Sequence, residues 1–216
     1  DILVGATAAL DAQIMSGEAI AQLSGDAARL GMTFDESAKT QENAVNSINA
    51  QTGAQISLQT VLEASNKVSG QIRAQLGSNP EAIARAVTQA KALGFELDQI
   101  ASAGKALLDF ESSISAELEA ELLTGKQLNL EKARLAALTG DYETLTKEIA
   151  DNVGDFNDFS QMNVLQQEAI AKSVGMTADD LANSLITEEN REALLQDAIA
   201  SGNEQSVQQL KAMSAS

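Results

Sequence analysis

The sequence predicts an all-α protein, and three observations carry that prediction. Helix formers (Ala, Leu, Gln, Glu) are abundant in the 216 residues while β-branched runs are missing. A single proline, Pro80, interrupts the chain. Apolar residues recur at steps of three and four along most of its length. Hydrophobic residues make up 44% of the chain but aromatic ones only 3%, so core contacts must come from small and aliphatic side chains, which suit closely approaching helices. The architecture expected is a long helical rod or hairpin segment followed by a small multi-helix globular domain.

From the N-terminal end, Leu3, Leu10 and Ile14, then Ile20, Leu23, Ala27 and Leu30, lie at helical spacing, with a helix end at Gly31. Thr33 and Glu36 have the form of a capping box, in which hydroxyl and carboxylate satisfy each other's backbone donors, so a second helix starts there. Its seam runs through Val45 and Ile48, slips near Gly53, and resumes as Leu58, Val61, Ser65, Val68, Ile72 and Leu76. A continuous helix from Asp35 to Leu76 would span roughly 60 Å at 1.5 Å per residue. Both a rod in a parallel bundle and a long antiparallel hairpin arm fit this stretch. Residues 1–79 are expected to form a long, coiled-coil-like segment.

A boundary falls at Gly77-Ser78-Asn79-Pro80, with 8 acidic and 4 basic residues before Pro80 and 23 and 10 from it onward. Asn79 as N-cap and Pro80 at the first helical position open a helix through Ile83, Val87 and Ala90, which Gly94 stops. A longer helix follows, carrying Leu97, Ile100, Gly104, Leu107, Ile114, Leu118 and Leu122 on one seam, with Gly104 allowing close helix contact. Residues 80–123 thus read as two helices, the second long.

Beyond Thr124 the elements shorten, and residues 124–216 read as a compact bundle of short helices. Turns at Thr124-Gly125, Thr139-Gly140, Gly154-Asp155, Gly175-Met176 and Gly202-Asn203 each offer a glycine for a left-handed helix end. Between them lie Leu130 to Leu138, Tyr142 to Val153, Val164 to Val174, Ala178 to Ile186, Glu188 to Ala200 and a tail from Gln205. Leu30-Gly31-Met32-Thr33, Leu93-Gly94-Phe95-Glu96 and Val174-Gly175-Met176-Thr177 share one grammar: a glycine ends a helix, an apolar residue tucks under it, and a polar residue caps the next. Their unequal intervals exclude a solenoid period.

Composition also narrows function. Without Cys or His there is no disulfide framework or thiolate site, and the usual general base and commonest zinc ligand are absent. A net charge of −17 repels nucleic-acid phosphates and anionic membranes, so no nucleic-acid binding is expected. The longest uncharged stretch, Asn43 to Leu62, carries too many Asn, Gln, Ser and Thr residues for a transmembrane helix. The opening lacks a basic n-region and an initiating Met, which suggests a piece of a longer chain rather than a signal peptide.

Candidate sites are few. Asp151, Asn152, Asp155, Asn157 and Asp158 offer hard oxygen donors of the kind calcium takes, but their spacing is not that of an EF-hand and no glutamate closes the loop. A solvated loop pinned by Phe156 and Phe159 fits them better. The pairs Glu117 with Glu121 and Asp179 with Asp180 have the chemistry for acid–base work, yet chance neighbours are expected among 31 acidic residues, and the second pair sits where a helix N-terminus favours negative charge. Gly-rich phosphate loops are absent. No catalytic, cofactor-binding or metal-ligating set is expected, and the chain reads as a structural protein rather than an enzyme. Ala136 to Leu145 resembles the helix-turn of tetratricopeptide repeats, but with no second copy it reads as a helical hairpin.

Leu122-Leu123-Thr124-Gly125-Lys126-Gln127-Leu128-Asn129-Leu130-Glu131-Lys132-Ala133-Arg134, continuing through Ala137 to Asp141, resembles a segment of bacteriophage tail tape-measure proteins. Gln166-Gln167-Glu168-Ala169-Ile170-Ala171-Lys172-Ser173-Val174-Gly175-Met176-Thr177-Ala178-Asp179-Asp180-Leu181-Ala182 is similar to the same kind of protein. The resemblance implies a long multidomain chain bundled inside the tail tube or at the tail tip, which sets tail length in a virion assembled in the host cytoplasm. It implies tail tube and tip proteins, and further copies of the chain, as partners. It brings no catalytic motif. The membrane-spanning stretches common in that family have no counterpart here. Against it stands a secreted or surface filament subunit or adhesin of flagellin-like style, for which the Gln-, Asn- and Ser-rich stretch Asn43 to Gln75 argues.

Overall fold

The computed structural model describes residues 17–186, 195–196, 198–202 and 204–213. Among them the chain is all-helical, with no strand. The expected seam from Leu3 to Ile14 lies outside the described residues, as does most of the helix expected over Glu188 to Ala200.

The first half turns repeatedly. Helix α1 (Gly17–Leu30) packs on α2 (Phe34–Thr52), which opens on the expected capping box: the Glu36 amide donates to the Thr33 hydroxyl oxygen and the Thr33 amide to the Glu36 carboxylate. The expected continuous rod from Asp35 to Leu76 is not formed. Gly53, left-handed at φ 77°, ends α2. The side chain of Asn49 then clamps the turn by donating to the Ile56 carbonyl and accepting from its amide, at 2.8 and 3.2 Å. A second break at Val68-Ser69 separates α3 (Leu58–Lys67) from α4 (Gly70–Gln75), where Arg73 donates to the Ser65 and Val68 carbonyls. The heptad-like spacing on either side of these breaks is real, but each run is too short to sustain a superhelix.

Asn79 caps α5 (Pro80–Ala92), accepting from the Glu81 and Ala82 amides, and Pro80 occupies its first position. The turn that precedes it does not separate two cores. One contiguous hydrophobic cluster runs from Ala44 and Val61 through Ile83, Val87 and Ile100 to Ile170 and Leu185, while Ala19, Ile20, Leu23, Phe34 and Leu62 form a satellite. Polar links cross the same boundary: the Tyr142 hydroxyl donates to Gln75 and the Lys105 ammonium to Gln71 at 2.9 Å, while beyond it Arg85 of α5 grips Glu143 in a two-pronged pair at 2.9 and 2.8 Å.

The long helix expected over Leu97 to Leu122 is two helices. α6 (Leu97–Leu107) stops where Asp109 turns out to accept from the Ser112 amide and hydroxyl, capping α7 (Phe110–Thr124). The break re-phases the chain. Leu97, Ile100 and Leu107 are buried as expected, but in α7 the core face is Ser113, Ala116 and Ala120, and Ile114, Leu118 and Leu122 point outward. Gly104 sits against Ala137 and Leu145 as a close-contact point.

The remaining elements are α8 (Glu131–Thr139), α9 (Tyr142–Val153), α10 (Phe156–Ser160), α11 (Val164–Ser173), α12 (Ala178–Leu185) and α13 (Glu204–Met213). α8 and α9 pack as the expected hairpin. The segment taken for a loop contains α10, and Phe159 is buried there. Gly154 differs from the other helix-ending glycines: at φ 86° and ψ −162° it occupies a region open to glycine alone. The shared Gly-apolar-polar grammar is a Schellman end in each case. Met32, Phe95 and Met176 donate their amides to the Ala27, Ala90 and Ala171 carbonyls at 2.9, 2.8 and 2.9 Å. Thr33, Glu96 and Thr177 then start the next helix.

Candidate interaction surface

Helix α7 is apolar on two opposite faces, the pattern of a helix covered on all sides. Its inner face is made of small residues, which let α11 approach closely and antiparallel. Lys172 pairs with Glu119 at 2.8 Å and the Gln166 amide donates to the Leu123 carbonyl at 2.8 Å, fixing that direction. On its other flank Glu121 and Glu117 accept the backbone amides of Leu128 and Leu130, at 2.8 and 3.1 Å. Arg134 of α8 reaches across to the Glu117 carboxylate and to the Ser113 hydroxyl oxygen, so α8 also runs antiparallel to α7. Both carboxylates are consumed in holding the loop between α7 and α8.

The outer face of α7 has no cover among the described residues. Phe110, Ile114, Leu118 and Leu122 stand at steps of four, the first three about half exposed and Leu122 87% exposed. Leu135 and Leu138 are exposed on α8, and Val164 and Leu165 at the start of α11. Singly exposed leucines are ordinary, but a row of four large apolar side chains along one helix face is the candidate interaction surface. Glu111 follows Phe110 in the first turn of α7, exposed and with no ion-pair partner among the described residues.

The sequence-derived candidates are dispersed into structural work. Asn152 clamps Asn129, accepting its amide at 2.7 Å and donating to its carbonyl at 3.2 Å; Asp155 caps α10; Asp158 pairs with Lys126 at 3.1 Å. Asp151 and Asn157 are exposed, and no three carboxylates come together to hold a metal ion among the described residues. Asp179 is exposed in the first turn of α12, and the Asp180 carboxylate accepts from the capping Thr177 hydroxyl at 2.7 Å. Glu117 and Glu121 are brought to one flank, as backbone anchors rather than an acid–base pair. Sequence spacing placed Ile114, Leu118 and Leu122 on a buried seam; the signal against this was Asp109 with Ser112, a capping pattern in the middle of the supposed helix.

A concavity of about 640 Å³ lies between α1, α2 and the turn before α5, lined by Arg29, Met32, Gln41, Ser78 and Pro80 among others. Its polar groups are engaged with one another: Arg29 donates to Asp26 at 2.9 Å, and Gln41 to Ser37 at 3.3 Å and more weakly to Asp26. Burial pushes the Asp26 carboxyl above its ordinary value, opposed by Arg29, by the Gln41 hydrogen bond and by the more distant Arg73. A carboxyl with a raised value in the folded chain holds its proton more tightly there than when unfolded. Its contribution to stability is therefore present in acid and lost as pH rises through the folded value. Asp26→Asn is expected to flatten that dependence and to leave stability at neutral pH equal or higher, as read from urea midpoints of the two chains at neutral and mildly acidic pH.

No helix among the described residues is long and apolar enough to cross a membrane. No family model, no curated protein and no solved structure matches the chain.

Proposed function

We propose that this chain is a structural segment of a bacteriophage tail tape-measure protein, which sits in the tail tube or at its tip and works by packing against other tail proteins rather than by catalysis. The observation that supports this most is the resemblance carried by Leu122 to Asp141 and Gln166 to Ala182, together with the exposed apolar row Phe110, Ile114, Leu118 and Leu122 on α7, which ends where the first of those stretches begins. Leu122 to Asp141 covers the end of α7, all of α8 and the turn to α9, and Gln166 to Ala182 covers α11 and most of α12. The carboxylates that chemistry would need are bound to backbone amides, caps and cations, which suits a passive role.

Mass spectrometry and immunogold electron microscopy of purified phage tails test this reading. The parent chain is expected in the particles, with label along the tube axis or at the tip. Its confinement to the host cytosol, with no particle association, overturns the proposal.

A further inference from the structure

The concavity between α1, α2 and the turn before α5 holds polar atoms that its internal bonds leave over. Arg29 gives one guanidinium nitrogen, Nη2, to Asp26 at 2.9 Å, so its Nε and Nη1 donors have no partner among the described residues. Gln41 lines the same concavity and is 2% exposed. Its amide nitrogen donates to Ser37 and more weakly to Asp26, but its Oε1 accepts no hydrogen bond among the described residues. An acceptor this enclosed is satisfied by what enters the concavity. Asp26 holds the two groups together: its Oδ1 takes Arg29 and its Oδ2 takes Gln41, so free donors and free acceptor are set on one carboxylate. Leu30, Met32 and Pro80 supply apolar lining. Ser78, also in the wall, is held left-handed at φ 51°, the one non-glycine residue so held among the described residues, and such strain concentrates at binding sites.

The ligand must offer an anion, a neighbouring N–H donor and an apolar body, and the C-terminal residue of a peptide supplies all three. Its carboxylate suits the planar fork of an arginine. Its own backbone N–H, separated from the carboxyl group by a single carbon, suits the Gln41 oxygen. About 640 Å³ is the size of a cleft that holds more than one residue. Glu81, exposed and the one carboxylate among the lining residues, disfavours a doubly charged anion such as phosphate. We propose that this concavity binds the C-terminal end of a peptide chain whose last residue is apolar. Arg29 holds the carboxylate, Gln41 accepts the last amide N–H, and Leu30, Met32 and Pro80 receive the side chain. The site stands whether or not the chain belongs to a phage tail.

Fluorescence anisotropy tests it with the full chain and two labelled hexapeptides of Gly and Ser ending in Leu, one with a free carboxyl end and one amidated. The free-ended peptide is expected to bind saturably and about tenfold more tightly than the amide, the usual effect of a hydrogen bond to a charged group. Arg29→Gln should erase that preference, so that both peptides bind alike. Gln41→Met should weaken both by several-fold and keep the preference. Lys39→Gln removes the same charge from an exposed position outside the concavity and should change nothing. Unlabelled N-acetylleucine should displace the probe at lower concentration than isocaproate, which has the same carboxylate and side chain without the amide. Circular dichroism and urea midpoints check that each variant is folded, and the peptide and small-acid comparisons on the unaltered chain need no variant. Absence of saturable binding, or equal binding of the free-ended and amidated peptides, overturns the proposal. So does a preference that survives Arg29→Gln in the folded variant. Equal displacement by the two small acids would make this a site for carboxylates at large and overturns the peptide reading.

Discussion

Replacing Arg134 by Ala is expected to cost about 3–5 kcal/mol of stability, the usual effect of removing one partner from a buried ion pair. The guanidinium is buried, with a side chain 8% exposed, and its partner Glu117 is 13% exposed. It also donates to the buried Ser113 at 3.0 Å. Without it the Glu117 carboxylate keeps only the Leu130 amide as a described partner, and the Ser113 hydroxyl loses its donor. The loss should appear in urea unfolding, together with faster amide exchange at Leu128 and Leu130, whose backbone bonds depend on the α7 carboxylates. Replacing Arg134 by Met and Glu117 by Gln together should recover much of the loss, because no unpaired charge remains and the Gln side-chain oxygen still accepts the Leu130 amide. A double variant as unstable as the single one would show that the loss does not come from an unpaired Glu117 charge.

The second large effect is expected at Gly94. Its φ of 85° is a conformation L side chains rarely adopt, and a Cβ there would overlap the carbonyl oxygen of Ser184, with the carbonyl carbon at 3.1 Å. The turn between α5 and α6 is thus seated on the end of α12, backbone against backbone. Gly94→Ala should lose the left-handed term of about 1–2 kcal/mol and an overpacking term of about 1–3 kcal/mol. For a chain of this size that is on the order of a 10 °C fall in melting temperature. Gly31 provides the control, with φ 68° and nothing within 4 Å of the added carbon. Gly31→Ala should show the conformational term only. Equal losses at the two positions would mean that the α12 contact has no weight.

Local chemistry made much of this fold legible. The Thr33 and Glu36 box, the Asn79 cap before Pro80, the end at Gly94 and the α8–α9 hairpin all follow from short-range rules of capping and turn geometry, and all are present. Periodicity failed where it was carried across a break. A seam counted from Leu97 stays in phase to Leu107, but the cap at Asp109 restarts the helix, and Ser113, Ala116 and Ala120 become the buried face. Serine and alanine are weak signals of burial, while the exposed leucines mimic a core stripe. The same error extended Asp35 to Leu76 into one rod, because Gly53 and Ser69 divide stretches whose apolar spacing resembles a continuous heptad. The roles of Glu117 and Glu121 were not legible at all. Their partners, the amides of Leu130 and Leu128, become visible only when the loop is folded back on the helix.

The central claim is that the outer face of α7 is a working surface, covered in the assembled state. Hydroxyl-radical footprinting read by mass spectrometry measures it directly, because it reports side-chain exposure at Phe110, Ile114, Leu118 and Leu122. The expected result is strong modification of all four in the isolated chain and protection in purified tails, with the buried Ile100 and Ile149 protected in both. Equal modification of the four side chains in the free and assembled states would contradict the account.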